Sequence, residues 1–175
     1  MRRQLARTAV VAVLLFFGMA RVQGHEKPDW QFLIVSSGSE AEVERGALVK
    51  ALQLLPRLPA RIAVLDAAEA RPQVQERLLR LDAFIVEGSA VVYVVKQSAL
   101  LRGAVAGSSF HVHAVAAVIW HEMAHVDGAD EREARAREEA LWTSYIRDQR
   151  VNGVTALRYL AELKRRPDEH RLSSR

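Results

Sequence analysis

The stretch SFHVHAVAAVIWHEMAHVDG, Ser109 to Gly128, limits the possible folds of this chain more than any other. Its first half is apolar and compatible with a helix. It therefore reads as one long, buried helix from about Ser109 to Asp127, with Gly128 as a natural end. Such a helix carries two histidines and a glutamate, His121, Glu122 and His125, into the interior. Burying those three groups without partners is costly, so the sequence has to supply something that satisfies them.

The spacing suggests what that is. Four residues of helix advance about 400° and 6 Å, so His121 and His125 leave the same face one turn apart. Two imidazole nitrogens so placed can meet one zinc ion at about 2 Å each. In a His-Glu-x-x-His motif the glutamate, here Glu122, faces the metal-bound water and acts as general base. Zinc lowers the pKa of that water to about 7, which makes hydroxide available at neutral pH. The competing reading is two ordinary histidines, because so short a motif also arises by chance. The buried setting favours the metal, which satisfies all three residues at once.

The rest of the chain frames this helix. Residues 1–24 run from basic (MRRQLAR) through apolar (TAVVAVLLFFGMA) to a short segment ending in glycine, which is the layout of a cleaved secretory signal. Its apolar run is shorter than the ~20 residues of a spanning helix. The full chain carries 25 Lys and Arg against 21 Asp and Glu. Four of the arginines, Arg2, Arg3, Arg7 and Arg21, lie in the signal, so the mature chain is close to neutral and gives no argument for nucleic-acid binding. There is no cysteine, which removes thiolate ligands and cysteine nucleophiles. One domain over 25–175 is expected, with about 166–175 as a polar tail.

Within that domain, strands are expected at Trp30–Ser37 and Ala60–Ala67. Between them lies a helix capped by Ser39 with Glu42, carrying Leu48, Leu52 and Leu55 and ended by Pro56. A second helix covers Ala68–Leu81, with Val74, Leu78 and Leu81 on its inner face. Ala83–Val86 and Ala90–Val95 read as a hairpin, and Ala99–Ser109 as a glycine-punctuated loop. Two further helices follow the histidine helix, at about Asp130–Arg150 and Val154–Arg165. The expected fold class is α+β: a small N-terminal mixed sheet with helices, then the histidine helix and C-terminal helices.

HEMAH on a long apolar helix, preceded by a β-hairpin, resembles the zincin metallopeptidases over roughly Ala83 to Arg150. The resemblance implies a zincin-like fold, a bound Zn2+ and hydrolysis of a peptide or protein substrate outside the cytoplasm, in the periplasm or secreted. It also implies an edge strand along the substrate cleft, for which Ala90–Val95 is the candidate; a plain core strand is the alternative. One zincin branch continues His-x-x-Gly-x-x-His, but HVDGADE places Glu131 where the third histidine would stand. The gluzincins instead take a glutamate from a following helix, often opening a Glu-x-x-Ala pattern, and EREA (Glu131–Ala134) fits it. The implied ligands are His121, His125 and Glu131, with Glu122 as the catalytic base.

Glu138 is the rival third ligand. A tight corner at Gly128, with Asp130 capping the next helix and Glu133 in the reciprocal capping position, favours Glu131. Glu138 lies roughly 10 Å further along that helix. Otherwise the acids from Glu131 to Glu139 read as a solvated face with pairs such as Glu131–Arg135. Asp127 is either an imidazole-orienting group or a helix-end charge. His111 and His113 read as surface histidines near the helix start, with a supporting role behind the metal ligands as the alternative. Trp142 and Tyr145 read as core, with an oxyanion role for Tyr145 as the alternative. Two non-enzymatic functions compete with hydrolysis: a zinc-stapled module, or a zincin fold that captures peptides without cutting them. An intact Glu122 argues against the first.

Overall fold

The computed structural model of the protein describes residues 34–36 and 41–165. The expected signal segment, the Ser39 cap, the start of the first strand and the C-terminal tail lie outside the described residues. The architecture is mixed α+β. In chain order it comprises β1 (Ile34–Ser36), α1 (Ala41–Leu52), β2 (Arg61–Leu65), a 3-10 turn (Ala67–Glu69) and α2 (Pro72–Leu78). The hairpin strands β3 (Ala83–Ile85) and β4 (Val91–Val95) follow, then α3 (Ala99–Val105), α4 (Ser109–Val126), α5 (Glu131–Arg147) and α6 (Gly153–Leu163).

The four strands are ordered β1-β2-β4-β3. β1, β2 and β4 run parallel, and β3 returns antiparallel to β4 with Phe84 opposite Tyr93. This corrects the edge-strand expectation. Val91–Val95 is bracketed on both sides, by β2 and β3, and the edges of the described sheet are Ala83–Ile85 and, on the far side, Ile34–Ser36. The physical reason lies in the crossover that brings β4 beside β2, which leaves the short hairpin partner outside.

Alternation along the strands separates two faces. Ile62, Val92 and Val94 pack with α1 and α4 residues such as Leu48, Leu52, Val115 and Ile119. Phe84 and Val95 face the other way, onto Ala67 and Leu78, with Phe84 stacked on Tyr93 at 5.1 Å. The expected helix over 68–81 is split. Asp66 caps the 3-10 turn by accepting from the Ala68 amide, and the helix restarts at Pro72, which has no N–H to lose in a first turn. Only the far end of the short α2 reaches the sheet, so Leu78 is buried while Val74 stays exposed.

The glycine-punctuated loop is also corrected. Ala99–Val105 is a helix, capped by the Ser98 hydroxyl accepting from the Leu101 amide at 3.0 Å, with Leu101 and Ala104 buried. Gly103 sits inside it because α3 meets α4 there. A Cβ at Gly103 would lie 2.3 Å from Cγ of His111. Gly103→Ala is therefore expected to lower stability by about 1–3 kcal/mol through overpacking, read as a shifted denaturant midpoint. An unchanged midpoint would mean that the His111 ring swings aside freely.

α4 is the central element. It is buried without interruption from Val112 to Ile119. One side faces the sheet and α1; the other, through Ala114 and Ala117, faces Leu141, Trp142 and Tyr145 of α5 and Ala156 and Tyr159 of α6. Tyr145 donates to the Leu54 carbonyl at 3.2 Å and Trp142 to the Ala156 carbonyl at 3.0 Å, so both are core residues. His113 is buried as well, contrary to the surface expectation. Its Nδ1 bonds the Ser109 carbonyl at 2.7 Å and its ring meets the edge of Tyr145.

Candidate metal centre

The rotation of α4 explains how neighbouring residues acquire different surroundings. Ala114, Ala117, His121 and His125 follow one another at spacings of three and four on the face turned to α5. Glu122 is about 100° further round, in line with Val115, Val118 and Ile119, and so faces the sheet. The motif thus points its imidazoles at one neighbour and its carboxylate at another.

The end of α4 fixes the second histidine. Gly128 adopts φ +90°, the Gly128 amide donates to the His125 carbonyl at 3.0 Å, and the Ala129 amide donates to the Ala124 carbonyl at 2.9 Å. These are the two bonds of a Schellman end. The turn presents the Ala129 carbonyl 3.0 Å from His125 Nδ1. A carbonyl can only accept, so Nδ1 carries the proton and Nε2 keeps its lone pair. Asp130 then caps α5 by accepting from the Glu133 amide at 2.8 Å. Glu133 itself pairs with Arg137 at 2.7 Å.

His121 is set in the same way by a carboxylate. Its Nδ1 lies 2.9 Å from Oε2 of Glu138, which is buried. Burial opposes protonation of His121, but the hydrogen bond to Glu138 and the charges of Glu138, Glu122 and Glu131 outweigh it and hold its pKa above the usual value. Both rings therefore turn Nε2 toward one point. Those two atoms are 3.2 Å apart, and Oε2 of Glu131 lies 3.2 Å from His125 Nε2 and 3.6 Å from His121 Nε2. Zinc with ligands at about 2.0–2.1 Å in tetrahedral geometry places adjacent donors roughly 3.3 Å apart. With both Nδ1 atoms committed to oxygen acceptors, the two Nε2 atoms and the Glu131 oxygen converge, and neutral imidazoles so held offer Nε2 lone pairs to a cation. His121, His125 and Glu131 together could hold a metal ion.

Glu131 and Glu138 thus occupy different places. Glu131 stands with the two Nε2 atoms and gives its other oxygen to Arg135 at 2.7 Å. Glu138 stands behind His121, so it is neither a surface residue nor one of the converging donors. Asp127 does not touch an imidazole; it pairs with Arg57 and, at 2.9 Å, with Arg137. Those arginines, Arg57 first, hold its carboxyl below the usual range. Glu139 pairs with Lys164 at 3.0 Å on the surface.

Glu122 is 3% exposed, and its carboxylate is hydrogen-bonded by the backbone amide of Ile85 on the edge strand β3. Burial pushes its pKa up to about 7, against the opposing charge of His121. A carboxyl poised there is suited to both accepting and releasing a proton at neutral pH. Sequence reasoning missed three contributors: the Ala129 carbonyl, the Ile85 amide and Tyr159, whose hydroxyl donates to Oε1 of Glu138 at 2.5 Å. Only the first had a legible signal, the glycine that ends α4.

Comparison with protein-family models, with curated proteins and with solved structures returns no match. Among the described residues, no helix is long and apolar enough to cross a membrane.

Proposed function

We propose that this chain is an exported zinc metallopeptidase of zincin type, with gluzincin-like ligands His121, His125 and Glu131 and Glu122 as general base. One observation carries the reading. Two histidines whose Nδ1 atoms are already committed aim both Nε2 atoms and a glutamate oxygen at one point, while Glu122, beside the first of them on α4, turns a buried carboxyl to the edge strand β3. A zinc site that only stapled the fold would have no use for that carboxylate, whose burial is unfavourable.

A divalent ion bound there supplies Lewis acidity, which lowers the pKa of water and polarises a carbonyl. The protein's own groups do the rest. His121 and His125 are held through Nδ1, by Glu138 and by the Ala129 carbonyl, so that both Nε2 atoms face the Glu131 oxygen. Glu122 takes one proton from the attacking water as its oxygen bonds to the scissile carbonyl carbon. The C–N bond then breaks, and Glu122 passes the proton to the leaving nitrogen. The substrate is an extended peptide, and β3 rather than β4 is the strand whose free edge lies beside α4. Incubation with casein and zinc, with and without chelator, tests the reading. Zinc-dependent cleavage is expected; a zinc-loaded protein that cuts none of a broad panel of peptides would overturn it.

Export rests on the layout of residues 1–24. Intact mass of protein from the exported fraction is expected to place the mature N-terminus at His25 or Arg21; a mass retaining Met1 would contradict cleavage. The ligand set has its own test. Glu131→Gln is expected to weaken zinc binding by at least 100-fold in a chelator-competition titration, because it loses a donor atom. Unchanged affinity would remove Glu131 from the set.

A further inference from the structure

The last described helix, α6, supplies no residue to the converging donors, yet it reaches them through one side chain. Tyr159 is 3% exposed, and its hydroxyl donates to Oε1 of Glu138 at 2.5 Å; the other oxygen of Glu138 meets His121 Nδ1 at 2.9 Å. The phenol ring is held in place. It stacks on Trp142 at 4.1 Å and meets the edge of Phe110 at 6.3 Å. A carboxylate that is 1% exposed would otherwise be free to rotate about its terminal bond. With one oxygen bound by Tyr159, the other is fixed toward the imidazole.

We propose that Tyr159 is a positioning residue for the metal centre, acting through Glu138 to set the orientation and basicity of His121, so that docking of α6 tunes metal affinity. This rests on the metal reading above and deepens it. The physical basis is general: a carboxylate behind a ligating histidine fixes its tautomer and raises its donor strength. What this fold adds is a third member, from a separate helix, that fixes the carboxylate. The arrangement also explains why a tyrosine is needed on the inner face of α6, where any large apolar residue would fill the space.

The test is zinc affinity, measured on the full chain by competition with a chromogenic chelator, for wild type, Tyr159→Phe, Glu138→Leu and the double variant. Tyr159→Phe keeps the ring and its stacking and removes only the hydroxyl. It is expected to bind zinc about 10-fold more weakly, and Glu138→Leu up to about 100-fold more weakly. The double variant is expected to be no weaker than Glu138→Leu alone, because Tyr159 has nothing to act on once the carboxylate is gone. Unfolding of the metal-free proteins runs in parallel. A purely structural tyrosine would lower the unfolding midpoint and leave zinc affinity unchanged, and that result overturns the proposal. So does an undiminished effect of Tyr159→Phe in the Glu138→Leu background. If wild type itself binds no zinc, the metal reading falls and this inference with it; if wild type binds and Tyr159→Phe binds equally well, only the inference falls.

Discussion

Glu122→Gln is expected to retain zinc and lose peptide hydrolysis by about 10²–10⁴-fold, the usual contribution of a general base. The amide keeps the shape of the carboxyl but cannot accept the proton. The same variant has a second expected result, opposite in sign. The Glu122 carboxyl has its pKa raised from 4.5 to about 7 in the folded protein. The folded state therefore binds the proton more tightly than the unfolded chain does. Stability from this group is fully present below pH 4.5 and is lost as pH rises through about 7. Above that pH, metal-free Glu122→Gln is expected to be more stable than metal-free wild type, by up to about 3 kcal/mol. Denaturant unfolding at pH 5 and pH 8 checks it. Retained turnover would remove Glu122 from the base role, and equal stability at pH 8 would mean that its carboxylate is better solvated than its burial implies.

The second large effect concerns the histidines. Replacing both His121 and His125 with alanine is expected to abolish stoichiometric zinc binding, since the remaining carboxylate is a weak site alone. In wild type, saturating zinc is expected to raise stability by about 4 kcal/mol when free metal exceeds Kd 1,000-fold. The double variant should show no such rise, which thermal unfolding with and without zinc measures directly. A zinc-dependent increase that survives in the double variant would place the metal elsewhere on the chain.

Much of this arrangement was legible because local rules and tertiary packing agree. The apolar run from Val112 to Ile119 does form a buried helix, Gly128 does end it, and Asp130 does cap the next. Once those three points hold, Glu131 falls beside His125 through the shortness of the connection. Glu138 was less legible. Helical geometry placed it two turns away, which is correct, but no local pattern shows that α5 packs close enough along α4 for that distance to end at His121 Nδ1. The sheet edge failed for a related reason: alternating apolar residues identify a strand but carry no information on which neighbours flank it, so Ala90–Val95 read as well for an edge as for a core strand. The helix at Ala99–Val105 was obscured by Gly103, which reads as a breaker and is instead a contact point for His111. Tyr159 left no mark at all, because an inward tyrosine on an amphipathic helix looks like core until its hydroxyl finds a partner.

The sheet order and the Schellman corner together have a consequence for the route by which the molecule forms. Partners in the parallel pairs, such as Ile34 with Ile62 and Ile62 with Val92, are about thirty residues apart in the chain. They meet only after long loops close, which is slow. Two of the three converging donors come from one helix and the third is the first residue of the next, across a short turn. The candidate metal centre is thus a short-range object, as is the β3–β4 hairpin, whereas the parallel part of the sheet is a long-range one. The three donors can therefore come together before β2 has paired with β1 and β4, and so before the sheet that Glu122 faces is complete. Under the proposed function, that order gathers the metal-ligating side chains before the general base has its buried setting.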